Sequence, residues 1–230
     1  MYVAISDIHG EMNKLIDMME ALQDRVNFDT DTLVFVGDYV DGGPHTKEVV
    51  TYLMALEDMH PHWVFLKGNH EDMMLSGLGH SQSVCEGYSG HFNNWYYQGG
   101  QATTESYIKN CVPYPDLIRS QIPRNHLEWL NERPLYYETD DFIFVHAGLD
   151  EDDFESRDPT TLLWARGWYK KYAGKPVIYG HTPSKDYFPV LYPTDNPTSI
   201  GIDTMYHGHG FITAALLDKS KEPWYDFIRV

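Results

Sequence analysis

Five short motifs, each placed where an apolar run ends, constrain this chain more than any other feature. They are Asp7-Ile8-His9-Gly10, Gly37-Asp38-Tyr39-Val40-Asp41-Gly42, Gly68-Asn69-His70-Glu71, His146-Ala147-Gly148 and Gly180-His181-Thr182. A single aspartate after a strand is usually a turn or cap residue, because its short side chain bonds nearby N–H groups. Turn chemistry alone does not call for five clusters of carboxylate, imidazole and amide in one chain. Together they offer oxygen and nitrogen donors for two divalent cations.

The intervening segments indicate how the motifs meet. Residues 2–6, 32–36 and 63–66 read as buried strands. Met12, Leu15, Ile16, Met19 and Leu22 recur at helical spacing, and Val49, Val50, Leu53 and Met54 share one face of a helix over 46–56. A further helix opens near Glu71. Strands alternating with helices imply parallel units, whose ligands bind beyond the carboxyl ends of the strands. Asp7, Asp38 and Asn69 then share one edge. Residues 76–100 are rich in Gly, Ser, Asn and aromatics and read as irregular, with helical pieces at 102–109 and 125–131. The second half is strand-like, at 142–145, 177–179, 199–203, 211–217 and 224–230. His146 and His181 again follow strands.

Asp7 and His9 lie two apart on extended backbone and point the same way. Asp38, from the neighbouring strand, is the natural bridge between two ions, with Asn69, His146 and His181 completing the second. Metals about 3.5–4 Å apart lower the pKa of a bridging water and clamp a phosphate in line with it. The reaction implied is direct attack of hydroxide on phosphorus, without a phosphoenzyme.

Composition narrows the partners. The 230 residues, 42% hydrophobic and 14% aromatic, suit one globular domain over 1–230. A formal net charge of -17 disfavours nucleic acid as a partner. Cys85 and Cys111 have no metal-binding spacing and read as free thiols in a reducing compartment. With neither a signal peptide nor a membrane-spanning run in view, the expectation is a cytoplasmic protein with no membrane partner.

The motif order and spacing resemble the metal-dependent phosphoprotein phosphatases within the calcineurin-like metallophosphoesterases. The segments 94–100 and 104–107, Leu163-Trp164-Ala165-Arg166 and Gly201-Ile202-Asp203-Thr204 are similar to bacterial and phage members. Those members include serine/threonine phosphatases and symmetrical diadenosine tetraphosphate hydrolases. The resemblance implies an α/β (α+β) four-layer sandwich of two mixed β-sheets flanked by helices. It implies that Asp7, His9 and Asp38 hold one metal and that Asp38, Asn69, His146 and His181 hold the other. Manganese is the expected ion, with iron, zinc, nickel or cobalt as alternatives. It also implies that His70, oriented by Asp41, protonates the leaving oxygen or stabilises the transition state. It further implies that Arg166, with Asn69, binds phosphate, a role suited to the planar guanidinium fork.

One position departs from the pattern. The family usually carries arginine after the second aspartate of the Gly-Asp motif, and here that residue is Gly42. Three functions follow as expectations: a phosphoserine/phosphothreonine phosphatase using a metal-bridging hydroxide, a dinucleoside polyphosphate hydrolase, or an impaired scaffold that only binds. The partner is accordingly a phosphorylated protein or a small phosphorylated substrate. Lys47 or Lys67 could replace the missing arginine. His207 and His209 read as part of a turn between two strands, and Trp95, Tyr96 and Tyr97 as core.

Overall fold

A computed structural model describes residues 1–85, 91–206 and 209–230. Its first sheet begins with three parallel strands, β1 (Tyr2–Ile5), β2 (Thr32–Phe35) and β3 (Val64–Phe65). Two helices, α1 (Met12–Leu22) and α2 (Thr46–Met59), connect them, and α3 (Asn69–Gly77) follows β3. Each strand is apolar on both sides because each is covered on both sides. Val3, Ile5, Leu33 and Phe35 face α1 and α2, while Ala4, Val34 and Val36 face the opposite way.

What they face is a second sheet. After α4 (Phe92–Trp95), α5 (Gln101–Tyr107), α6 (Pro115–Gln121) and α7 (Arg124–Asn131), the chain forms β4 (Tyr136–Glu138) and β5 (Ile143–Val145). Helix α8 (Pro159–Trp164) leads to β6 (Val177–Tyr179), β7 (Val190–Tyr192) and β8 (Ser199–Gly201). The order β4-β5-β6-β8-β7 is mixed, with β5, β6 and β8 parallel and both edges antiparallel. Phe142, Phe144, Ile178 and Ile200 pack against Val34 and Val36 between the sheets. Ile143, Val145 and Val177 face outward under Leu162 and Trp168.

The chain then makes a hairpin, β9 (Thr204–Tyr206) and β10 (His209–Phe211), and returns to the first sheet as β11 (Thr213–Leu217) and β12 (Tyr225–Arg229). β11 pairs antiparallel with β1, giving the order β12-β11-β1-β2-β3. The architecture is thus the expected one, two mixed sheets flanked by helices. His209 flanks the expected turn, whereas His207 lies outside the described residues. Among the described residues no helix is long and apolar enough to cross a membrane.

Two expectations need correcting. Ile16 is 39% exposed and Met18 takes its place on the buried face of α1. The segment 91–100 is helical rather than irregular, α4 continuing to a kink at Gln98 and Gly99, whose backbones leave helical geometry before α5.

Candidate metal centre

All five motifs come off the same ends of the two sheets: Asp7 and His9 after β1, Asp38 and Asp41 after β2, Asn69 and His70 at the start of α3, His146 after β5 and His181 after β6. The loops interlock through their backbones. The carbonyl of Asp38 accepts from the N–H groups of Ile8 and His9, both at 2.9 Å. Glu71 is fully buried, and its carboxylate gathers the N–H groups of Asp38 (2.9 Å), Tyr39 (2.8 Å), Val40 (3.2 Å) and Gly68 (2.8 Å). A side chain on Gly68 would collide with Asp38, and one on Gly180 with Asp7, so glycine lets these loops approach.

The backbone is strained where the candidate ligands sit. His9, Asp38, Asp41 and His181 have φ of 46°, 53°, 71° and 64°, a region that costs L-residues energy and clusters at functional sites. The surrounding hydrogen bonds hold them there.

Asp38 is the point of convergence. Its Oδ2 lies 3.4 Å from His146 Nε2 and 3.7 Å from His9 Nε2. Each of these rings turns its other nitrogen to a carbonyl, His146 Nδ1 to Val36 O (2.9 Å) and His9 Nδ1 to Val40 O (3.1 Å). A carbonyl only accepts, so Nδ1 carries the proton and, in the neutral ring, Nε2 presents a lone pair. Asn69 Oδ1, a further acceptor, sits 2.8 Å from His146 Nε2 and 2.8 Å from His181 Nδ1. Asp7 Oδ2 accepts from the His181 N–H at 3.0 Å. Asp7 Oδ1 and His181 Nε2 are buried with no partner among the described residues. Lone pairs crowded on a buried carboxylate fit cations between them. Two sets of side chains are close enough to share an ion, His9–Asp38–His70 and Asp38–His146–His181, and Asp38 belongs to both.

The electrostatics agree. Burial opposes charge on His146, yet the Asp38 carboxylate beside it overrides this and pushes its pKa up to about 9. His70, also penalised by burial, is raised to about 10 by Asp38 and Asp41. Burial opposes ionisation of Asp38 too, but the surrounding histidines hold its carboxyl well below the usual range. Burial, then the nearby Asp203, lifts Asp7 to about 8. Burial, then the neighbouring His146, drives His181 down to about 2. Without cations, protons are drawn in to balance the acidic cluster.

His70 leans on this cluster from one side. Its Nδ1 is 2.8 Å from Asp41 Oδ2, and its N–H donates to Asp38 Oδ1 at 3.0 Å. On the other side the exposed Arg166 donates to Thr182 Oγ1 (3.2 Å) and to the carbonyl of His181 (3.5 Å), so its guanidinium sits over a candidate ligand loop.

A family model, calcineurin-like phosphoesterase, matches residues 2–210. The chain belongs to that family. Among curated proteins it is similar to an asymmetrical bis(5'-nucleosyl)-tetraphosphatase, PrpE, of Bacillus velezensis, 28% identical over 80% of this chain and 78% of the relative. That relative is named as asymmetrical, where the sequence resemblance pointed to symmetrical hydrolases. Among solved structures, one given provisionally as a diadenosine tetraphosphatase superposes with a TM-score of 0.66, covering 99% of this chain and 92% of that one at 20% identity. A serine/threonine phosphatase of Saccharomyces cerevisiae gives 0.63, covering 99% and 78% at 15% identity. These two likenesses speak to fold alone. As a calcineurin-like phosphoesterase, the chain is a phosphoric ester hydrolase of a family that binds divalent metals.

Several residues of this phosphoesterase stand apart from expectation. Lys67 is buried and donates to the carbonyl of Asn131 at 2.8 Å, and Lys47 is exposed on α2 with its N–H bonded to Ser106. Lys67 is therefore engaged away from the cluster. Tyr97 is 79% exposed rather than core, while Trp95 is buried as expected. Cys85 is buried, Cys111 half-buried, and both are free. Glu71, Trp95, Thr103 and Asp203 all bear on the centre, and none was singled out as a site residue from sequence. Asp203 is buried near Asp7, and burial raises its pKa to about 7, Asp38 adding to the effect. Glu71 left a legible signal in its spacing of three from Gly68, by which an acid reaches back to the N–H of the residue that caps a helix, and Trp95 and Asp203 lie in the family-like segments 94–100 and 201–204.

Proposed function

We propose that this chain hydrolyses phosphoric esters and anhydrides at a two-cation centre. Asp7, His9 and Asp38 hold one ion, and Asp38, Asn69, His146 and His181 the other. The observation that carries this reading is the convergence of imidazole donors on the buried Asp38, with the Asn69 amide oxygen against His146 and His181. Divalent ions there, manganese in the first instance given the mixed donor set, supply an activated water and neutralise phosphate charge. The remaining work falls to side chains. Arg166 binds phosphate oxygens with its planar fork, and Asn69 contacts them from the ligand loop. His70 delivers a proton to the leaving oxygen, with Asp41 fixing which ring nitrogen is free to do so.

Dinucleoside polyphosphates move ahead of phosphoserine or phosphothreonine proteins as the substrate. The support is the tetraphosphatase relative, alike over about four-fifths of this chain. We place the protein in the cytoplasm. The test is a panel of diadenosine tetraphosphate, phosphopeptides and nitrophenyl phosphate with added manganese, ranked by kcat/KM. A phosphopeptide at the top of the ranking would restore the first reading. No hydrolysis of any member would refute the proposal.

A further inference from the structure

Asp41 lies at the bottom of the His70 side of the centre, fully buried, and its carboxylate is more heavily bonded than one histidine requires. Trp95 Nε1 donates to both oxygens, at 3.0 Å to Oδ1 and 3.1 Å to Oδ2. Thr103 Oγ1 donates to Oδ1 at 2.7 Å. The same hydroxyl accepts the backbone N–H of Asp41 at 2.8 Å and stands 3.1 Å from Thr46 Oγ1. With its one proton spent on Asp41, its two lone pairs take the Asp41 N–H and the Thr46 hydroxyl. Both ends of Asp41, side chain and backbone, are thereby held by one threonine.

These donors come from either side of a kink at Gln98 and Gly99, which separates the two helical pieces. Gly99, at a φ of 116°, offers its carbonyl to the Gly42 N–H at 3.3 Å. A Cβ on Gly100 would come within 2.5 Å of the Trp95 ring, so glycine lets the indole lie flat under the kink. The kink brings the indole N–H before it, and the threonine hydroxyl after it, onto one carboxylate.

We infer that Trp95 and Thr103 are positioning residues for the His70–Asp41 pair: the indole spans the carboxylate and the hydroxyl pins its far oxygen, fixing the rotation that leaves Oδ2 aimed at His70 Nδ1. The inference rests on the proton-delivering role given to His70 above. Trp95 and Thr103 bond to Asp41 and act on His70 through it.

The test is a double-mutant cycle on the metal-loaded full chain, with nitrophenyl phosphate and an alkyl phosphate as substrates. Trp95→Phe keeps the ring and removes the donor. It lowers kcat by about tenfold, the fold-change expected for one bond to a charged group, and leaves KM within about twofold. The loss is larger on the alkyl ester, whose leaving group needs the proton. Thr103→Val behaves likewise and Thr103→Ser restores activity. In an Asp41→Asn background, Trp95→Phe costs less than about twofold further, because the group it positions is gone. Equal losses in both backgrounds, or equal losses on both esters, would make Trp95 a merely structural residue and overturn the inference. So would an unchanged kcat in Trp95→Phe. Full activity of Asp41→Asn alone would instead remove the His70–Asp41 pair from the reaction, and the inference with it.

Discussion

Glu71 decides where Asp38 stands. It accepts four backbone N–H groups from two loops in a fully buried site, and among the described residues no other side chain accepts from them. Glu71→Gln exchanges one oxygen for an amide group that faces donors with a donor. The expected cost is roughly 3 kcal/mol of folding stability, since buried bonds to charged groups are lost and N–H groups are orphaned. Metal affinity should weaken about tenfold as the Asp38 loop relaxes. Thermal melts and metal titration read both, and an unchanged midpoint with unchanged affinity contradicts this role. Gly42 is the other decisive residue. Its φ of 84° strains any arginine placed there, at about 1–2 kcal/mol, although a side chain meets only ordinary contact with His9. Gly42→Arg should therefore lower the melting temperature yet raise kcat/KM on nitrophenyl phosphate about tenfold, by adding a contact to phosphate. Loss on every substrate would show that glycine keeps the pocket open. With one guanidinium over the site, Arg166→Ala should lose most activity, about a hundredfold.

At the scale of elements, legibility followed burial. β1, β2, β5, β6 and β11 are buried on both faces, and their unbroken apolar runs announced them. The edge strands β4 and β7 were missed because each is only three residues long and partly exposed, too short for a strand period to show. α8 was missed although Asp158 caps it, accepting from Thr161 N–H at 2.9 Å, with Pro159 in the first turn. The motif residues were legible because ligand chemistry demands particular side chains. The bonds of Trp95 and Thr103 to Asp41 were not, since a buried tryptophan looks like core and a kink at Gln98 and Gly99 leaves no sequence period to read. Asp158→Ala should cost about 1 kcal/mol of stability with little change in kcat, because the cap holds α8 but touches no candidate ligand. A large fall in activity with an unchanged melting temperature would contradict that separation.

For the whole molecule, the centre links stability to pH and to cations. In the metal-free protein His70 and His146 titrate near 10 and 9, above the ordinary 6.5, so folding favours their protonated forms. That contribution is complete below about pH 6.5 and disappears as pH rises through 9 to 10. Asp7, raised to about 8, acts in the same direction up to that pH, since the folded state keeps a proton the unfolded chain has lost. His181, depressed to about 2, favours the neutral form, and its effect is confined below pH 6.5. The metal-free protein should therefore lose thermal stability steadily from pH 6.5 to 9, and bound cations should offset the loss by replacing those protons. A melting temperature independent of pH over that range would show that the cluster carries no such excess of protons.

The central claim is a two-cation centre bridged by Asp38. It is tested most directly by counting bound metal in the stripped and reloaded protein, and in Asp38→Ala, alongside hydrolysis of diadenosine tetraphosphate and nitrophenyl phosphate. The account predicts two manganese ions per chain, activity abolished by chelation and restored by manganese, and loss of both ions together with activity in Asp38→Ala. Full turnover in the metal-stripped protein, or an Asp38→Ala variant that retains two tightly bound ions, would contradict it.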